Sequence, residues 1–117
     1  MTLLGIGVDL IEVDRIRRLA RSNKRFLPRV FTPDEIRYCR TKKNQWQHFA
    51  ARFAAKEAAW KALGESGVGW KDIVVAKAAT GKPTLQVKHA SLGSVLLQIS
   101  LSHTEHYATA MVLAYKK

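Results

Sequence analysis

The chain has 117 residues, 47% of them hydrophobic, which is enough for a single domain spanning 1–117 with a modest core. Its 20 Lys and Arg residues outnumber 9 Asp and Glu residues, and the net charge of +11 indicates an anionic partner such as nucleic acid, a phosphorylated ligand, an acidic protein or a membrane surface. Cys39 is the single cysteine and Asp9 interrupts the first apolar run, so we expect a reducing, cytoplasmic location without an internal disulfide, signal peptide or membrane span.

The first predicted element is a buried strand over residues 3–11 that carries one carboxylate. Alternation gives it two faces, and the first face consists of Leu4, Ile6, Val8 and Leu10. Asp9 lies on the other face with Gly5 and Gly7, which leave space for a ligand or for another backbone segment. Either Asp9 caps the next helix, or it belongs to a charged site, because an apolar environment disfavours an uncompensated carboxylate.

Residues 12–22 predict an amphipathic helix. Its apolar stripe consists of Val13, Ile16, Leu19 and Ala20. The other faces and the residues that follow are strongly basic, with Arg15, Arg17, Arg18, Arg21, Lys24 and Arg25. This surface is either a solvated face or a docking surface for an acidic partner.

Two further helices are predicted in the middle of the chain. Thr32, Pro33 and Glu35 form a capping-box pattern before a helix over residues 33–41. A longer helix over 45–63 ends at Gly64, a C-cap residue.

The long helix carries a second carboxylate in apolar surroundings. Glu57 and Lys61 continue the i, i+4 series of Phe49 and Phe53, so they extend an aromatic stripe. They form either a surface pair or an active-site pair. If Glu57 and Asp9 meet in space, a divalent metal ion would compensate both charges.

The rest of the chain predicts strands. The glycine-rich segment 65–70 reads as a flexible connection, and it is followed by strands over 72–78, 84–88, 94–102 and 107–115. Gly81-Lys82-Pro83 forms a turn. His103, directly after the third of these strands, has the parity of its inward face and is either an ordinary turn histidine or part of a site. An N-terminal strand, a helical segment with one long helix and then largely antiparallel strands indicate an α+β fold.

Four motifs in this order resemble the holo-[acyl-carrier-protein] synthases, the small bacterial branch of the 4′-phosphopantetheinyl transferases. They are Gly5-Ile6-Gly7-Val8-Asp9-Leu10-Ile11 with Arg15-Ile16, Arg52-Phe53-Ala54-Ala55-Lys56-Glu57-Ala58 with Lys61-Ala62, Gly81-Lys82-Pro83, and Ser102-His103-Thr104 with Tyr107-Ala108. Each motif is weak by itself, but together they cover residues 5–108.

The resemblance implies a 4′-phosphopantetheinyl transferase-like fold and a reaction. The family transfers the 4′-phosphopantetheine arm of coenzyme A to a serine of apo-acyl carrier protein, releasing adenosine 3′,5′-bisphosphate in support of fatty acid biosynthesis. Magnesium is required, and the family acts as a homotrimer with its sites between subunits.

The resemblance also implies residue roles. Asp9 and Glu57 match Mg²⁺ ligands, and Glu57 and Lys61 match catalytic positions, with Lys61, Glu57 or a water as the base. The residues matching coenzyme A contacts are Arg52, Lys61, Lys82, Pro83, His103 and Thr104. The candidates for docking the acidic carrier protein are Arg15, Leu19, Arg21, Arg25 and Phe26.

Two other classes of protein agree with the basic composition. A small nucleic-acid-binding protein could use the charge together with Trp46, Trp60 and Trp70. It would not explain Asp9 and Glu57, and the sequence has no RNP motif or helix-turn-helix, so we expect no nucleic acid as partner. A structural subunit could dock an acidic partner without chemistry. Mg²⁺-dependent binding of coenzyme A separates the enzyme from both.

Overall fold

The structure is a computed structural model that describes residues 1–64 and 67–117, so Glu65 and Ser66 of the predicted flexible connection lie outside the described residues. The elements are β1 (Thr2–Glu12), α1 (Val13–Ser22), α2 (Phe26–Val30), α3 (Pro33–Arg40), α4 (Gln45–Leu63), β2 (Ile73–Lys77), β3 (Pro83–Val87), β4 (Val95–His103) and β5 (Tyr107–Lys116). Short 3-10 turns lie at Trp70–Asp72 and Ala90–Leu92. The predicted α+β class is confirmed.

The strands form two antiparallel sheets. One has the order β1-β5-β4, and the other pairs β2 with β3. In the larger sheet Asp9 lies opposite Ala110, and Val8 lies opposite Met111. Helix α4 packs on the inner face of this sheet, and its alanines are buried where the strands approach. A helix with small side chains can approach a sheet closely, so α4 and β1 together hold the two carboxylates of the predicted site.

The closest approach of α4 and β1 depends on two glycines. A Cβ atom added to Gly7 would lie 1.9 Å from the carbonyl oxygen of Ala58. A Cβ atom added to Gly5 would lie 2.2 Å from the carbonyl oxygen of Ala62. Both contacts are with helix backbone, which cannot rotate away. The space beside Asp9 is therefore filled by another backbone segment, the second of the two sequence-based alternatives.

The predicted helices agree with the structure, with one addition. Thr32 and Glu35 form the predicted capping box at the start of α3, and α4 ends at Gly64 with φ +63°. The five-residue helix α2 was not predicted. Pro28 lies in the first turn of α2, where a backbone N–H has no partner within the helix, so proline is tolerated there.

The prediction that β1 is buried is wrong for one of its faces. Leu4, Ile6, Val8 and Leu10 are 50%, 60%, 60% and 65% exposed. Alternation correctly separated the two faces, but apolar side chains on both faces do not reveal whether the same chain covers them. Met111 on β5 is also exposed and adjoins Val8, so the outer face of the sheet carries a continuous apolar patch, Leu4, Ile6, Val8, Leu10 and Met111.

Within the ranges that the structure describes, no helix combines the length and apolar character needed to cross a membrane.

Candidate active site

Asp9 and Lys61 form an ion pair where β1 meets α4. The Lys61 Nζ atom donates hydrogen bonds to Asp9 Oδ1 at 3.2 Å and to the Val8 carbonyl oxygen at 3.1 Å. Thr109 on β5 donates to the backbone oxygen of Asp9 at 2.8 Å, which fixes the strand at this position. The Asp9 side chain is 10% exposed, whereas Lys61 remains more than half exposed. Asp9 does not cap α1, whose N-cap is Glu12.

Glu57 shares this region of the helix with Lys61. Burial raises the pKa of Glu57, and the nearby Asp9 carboxylate raises it further. Lys61 and Arg15 act in the opposite direction because their positive charges favour the ionised carboxylate. The structure therefore brings together Asp9, Glu57 and Lys61, the three residues predicted for catalysis and metal binding.

The donor atoms fit a magnesium ion. Asp9 Oδ2 is buried and makes no hydrogen bond with any residue that the structure describes. The described residues contain no group of three or more His, Cys, Asp or Glu side chains placed to hold a metal ion. Mg²⁺ needs only one or two protein carboxylates when substrate phosphates and waters supply its other oxygens. Asp9 and Glu57 therefore match what Mg²⁺ requires in a phosphate-binding site.

Arg52 and His103 lie together at a second place. The Arg52 guanidinium is buried, and its central carbon lies 4.3 Å from the centre of the Tyr38 ring. Nδ1 of His103 hydrogen-bonds with Gln47 Oε1 at 2.8 Å. The rings of His103 and His48 are 5.1 Å apart, so His103 joins the region around Arg52.

Several residues around Arg52 were not predicted for the site. The side chains surrounding it form a basic cluster, which we define as Tyr38, Lys42, His48, Arg52 and Lys77. The ammonium groups of Lys42 and Lys77 lie 4.8 and 4.7 Å from the Tyr38 ring centre. These residues come from α3, α4, β2 and a connecting segment, so their spacing in sequence gave no signal.

Burial and positive charge both affect pKa values in the basic cluster. Burial lowers the pKa of His48 to about 4, and the charges of Arg52 and His103 act in the same direction. Burial by itself would raise the pKa of Tyr38, but a hydrogen bond with Lys77 and the charge of Arg52 lower it overall. The positive charges of Arg52, Lys77 and Lys42, which lower the pKa of Tyr38, would also attract an anion.

The basic cluster and the Asp9–Glu57–Lys61 group lie on different sides of α4. Successive residues of an α-helix are rotated by about 100° around its axis, so the side chains of Arg52 and Glu57 point about 140° apart. Lys82 and Pro83 are at a third place, where they line a cavity of about 380 Å³ with Met111 and Leu113. One chain therefore presents the residues predicted for coenzyme A in separate groups.

Thr104 lies in the exposed turn between β4 and β5. Its backbone N–H donates to the Tyr107 carbonyl oxygen at 2.7 Å, and its hydroxyl accepts a hydrogen bond from the Tyr107 N–H at 3.2 Å. A separate cavity of about 680 Å³ adjoins this turn and the start of α1, and none of the predicted site residues lines it.

The predicted docking residues lie on α1, on α2 and, for Arg25, directly before α2. Arg15, Arg21 and Arg25 are exposed and make no salt bridge within the described part of the chain, whereas Arg17 and Arg18 both pair with Asp14. Leu19 and Phe26 are half-buried against the core. Arg15 lies close enough to Glu57 to affect its pKa, whereas Arg21 points about 120° away from Arg15 around α1.

Comparison with known proteins identifies the family of this chain. The 4′-phosphopantetheinyl transferase superfamily model matches residues 5–112. A holo-[acyl-carrier-protein] synthase of Koribacter versatilis is 47% identical over 122 residues, covering 95% of this chain and 97% of that protein. The corresponding protein of Solibacter usitatus is 43% identical, with the same shares covered.

Solved structures show the same fold. A holo-(acyl-carrier-protein) synthase from Bacillus anthracis, in complex with CoA (3′,5′-ADP), has a TM-score of 0.86 and 31% identity, with 100% of both chains covered. The Helicobacter pylori synthase in complex with coenzyme A has a TM-score of 0.81 and 29% identity, covering 94% of this chain and 99% of that one. The chain therefore belongs to the holo-[acyl-carrier-protein] synthase family and is a phosphopantetheinyl transferase.

Proposed function

We propose that this enzyme transfers the 4′-phosphopantetheine arm of coenzyme A to a serine of apo-acyl carrier protein. The products are holo-acyl carrier protein and adenosine 3′,5′-bisphosphate, the reaction depends on Mg²⁺, and it supports fatty acid biosynthesis in the cytoplasm. The observation that carries this proposal is the meeting of Asp9, Glu57 and Lys61 at one point between β1 and α4. Two relatives of the same fold are described as complexes with coenzyme A or its nucleotide.

Asp9 and Glu57 would hold the magnesium ion. When bound, Mg²⁺ neutralises negative charge on the diphosphate oxygens of the substrate. Asp9 is held by the β1–β5 pairing and Glu57 by the buried helix α4, so the two carboxylates come from rigid elements. Rigid placement favours transfer because phosphoryl transfer depends mainly on positioning and charge stabilisation.

Lys61 would supply positive charge to the transferring phosphoryl group. Its ammonium group is more than half exposed and lies next to Asp9, so it can reach a phosphate at this site. Lys61, Glu57 or a water would accept the serine proton. Arg52, Lys82, Pro83, His103 and Thr104 would contact the remainder of coenzyme A.

These contacts require more than one chain, and we infer a homotrimer with its sites between subunits. The two groups of residues on opposite sides of α4 cannot face one ligand in the same chain, but they can in neighbouring copies. The apolar patch on the outer sheet face supplies a surface for this association, because contiguous exposed apolar side chains mark interaction sites.

The predicted assembly can be tested by placing a charge in the apolar patch. We expect Ile6→Asp to lower the molar mass in solution from three chains to one and to abolish transfer. Light scattering coupled to size-exclusion chromatography measures the mass. Ala79→Asp, an apolar-to-acidic change on the exposed turn between β2 and β3, is the control and should leave three chains. A parent protein with the mass of one chain would contradict the trimer.

The carrier protein would dock on the basic surface of α1 and α2. Arg15 joins this surface to Glu57, and half-buried Leu19 and Phe26 offer apolar contacts beside Arg21 and Arg25. Exposed charge pairs mainly accelerate association and are weakened by salt. We therefore expect the KM for carrier protein to rise steeply from low to high salt, and a flat response would contradict this docking surface.

The reaction itself is tested by mass spectrometry. Apo-acyl carrier protein is incubated with this protein, coenzyme A and Mg²⁺, beside a control with EDTA. The expected result is a Mg²⁺-dependent gain of one phosphopantetheine group on a single serine. If several carrier proteins gain no mass with folded enzyme, the proposed reaction is wrong.

A further inference from the structure

Four aromatic rings lie in contact along one side of α4. The ring centres of Phe26 and Phe53 are 6.1 Å apart, those of Phe53 and Trp70 are 5.0 Å apart at an interplanar angle of 22°, and those of Trp70 and Trp60 are 4.0 Å apart. Phe53 is buried, whereas Trp60 and Trp70 are half-buried. These two residues are therefore partly accessible, and we call Trp60 and Trp70 the indole wall.

The indole wall flanks Glu57 on the side opposite to Lys61. Around the axis of α4, Trp60 lies about 60° from Glu57 in one direction, and Lys61 lies about 40° from Glu57 in the other. Beyond Lys61, strand β1 closes the helix surface, because the backbone of Gly7 contacts that of Ala58 directly. A molecule whose charged part lies at Asp9 and Lys61 can therefore extend past Glu57 along the indole wall.

A buried ion pair holds one half of the indole wall in place. The fully buried Lys56 Nζ donates to the Trp70 carbonyl oxygen at 3.0 Å and to the Ile73 carbonyl oxygen at 2.7 Å. Its third hydrogen bond goes to Glu35 Oε1 at 2.8 Å. The backbone of Trp70 is thus fixed to α4 at Lys56, the residue before Glu57. A contact surface held in this way is preorganised for its ligand.

We propose that the indole wall contacts the neutral pantetheine arm of coenzyme A and sets the preference for substrates that carry this arm. The proposal rests on the proposed function. The arm is uncharged, with two amides and a geminal dimethyl group, and indole faces offer large apolar contact area to such groups. The arm is also bonded to the diphosphate, so it must lie close to Glu57, and Trp60 is one helical turn from that residue.

The test compares two ligands that differ by the 4′-phosphopantetheine group, which is the arm together with one phosphate. Calorimetry with Mg²⁺ gives the Kd of coenzyme A and of adenosine 3′,5′-bisphosphate for the parent protein and for Trp60→Ala. We expect Trp60→Ala to weaken coenzyme A about 10-fold and the bisphosphate less than about 2-fold, because only coenzyme A carries the arm. Trp46→Ala, which removes an indole that packs on Phe49 near the start of α4, is the control and should change neither Kd.

A second measurement uses the parent protein alone. Coenzyme A should change the tryptophan emission more than adenosine 3′,5′-bisphosphate does, and Trp60→Phe should retain most of the affinity for coenzyme A.

Three results would overturn the proposal: equal weakening of both ligands, no weakening of either, or a raised KM for carrier protein with unchanged affinity for coenzyme A. The last result would place the carrier protein on the indole wall. If the parent protein transfers the arm, each of these results contradicts only the role of the indole wall. If the parent protein shows no transfer, the proposed function is contradicted instead.

Discussion

Glu57→Gln and Asp9→Asn are each expected to lower kcat/KM for transfer by about 100-fold or more. Both changes keep the size of the side chain and remove its negative charge. Asp9 Oδ2 has no hydrogen-bond partner among the residues described, and Glu57 has a pKa raised by burial and by Asp9. These two carboxylates therefore do more than pair with a neighbouring cation, and loss of either negative charge should slow transfer. Steady-state transfer over a range of Mg²⁺ concentrations measures the effect.

The matched control is Glu12→Gln at the end of the same strand. Glu12 is exposed, and its side chain makes no capping hydrogen bond to α1, so this change should leave transfer close to the parent rate. Each site variant should also require more Mg²⁺ for half-maximal activity. Unchanged turnover and unchanged Mg²⁺ dependence in both site variants would show that these carboxylates do not bind the metal.

The sequence predicted the local elements of this site well because each has a strong local cause. The capping box at Thr32 and the glycine after α4 are determined by a few neighbouring residues. Alternation along one strand also placed Asp9 on the face opposite to Ile6 and Val8. The meeting of Asp9 with Glu57 and Lys61 was expected from the family resemblance, and close packing of β1 on α4 through Gly5 and Gly7 produces it.

The parts that were missed depend on contacts between distant segments. The basic cluster combines Tyr38, Arg52 and Lys77 from three elements, and no periodic pattern connects them. The exposure of Ile6 and Val8 depends on whether another surface covers the sheet, which strand periodicity does not report. The buried pair of Lys56 and Glu35 was missed for the same reason, since the two residues are separated by 20 others.

Lys56→Met is expected to destabilise the folded protein by about 3–5 kcal/mol. Lys56 and Glu35 have side chains that are 0% and 2% exposed, and removal of the ammonium group leaves the carboxylate buried without its cation. The Trp70 and Ile73 carbonyl oxygens also lose their donor. Methionine has a similar length, so the effect comes mainly from charge and hydrogen bonding. Denaturant unfolding measures the free energy.

An exposed ion pair on α3 provides the control for this change. Arg37 pairs with Asp34, and their side chains are 71% and 88% exposed. Arg37→Met also replaces a cation by methionine, but it should cost less than about 1 kcal/mol because water solvates the remaining carboxylate. Equal costs for the two variants would show that burial of the Lys56–Glu35 pair has no special effect on stability.

A double variant separates the pair from the rest of the network. Glu35 also accepts hydrogen bonds from the backbone N–H groups of Thr32 and Val75, so it connects the start of α3 to β2. Adding Glu35→Gln to Lys56→Met removes the unpaired charge while keeping an acceptor for one of these groups. The double variant should therefore be more stable than the sum of the single changes predicts. Strict additivity would mean that Lys56 acts only through the carbonyl oxygens of Trp70 and Ile73, and the ion pair would then not be the reason that lysine occupies this buried position.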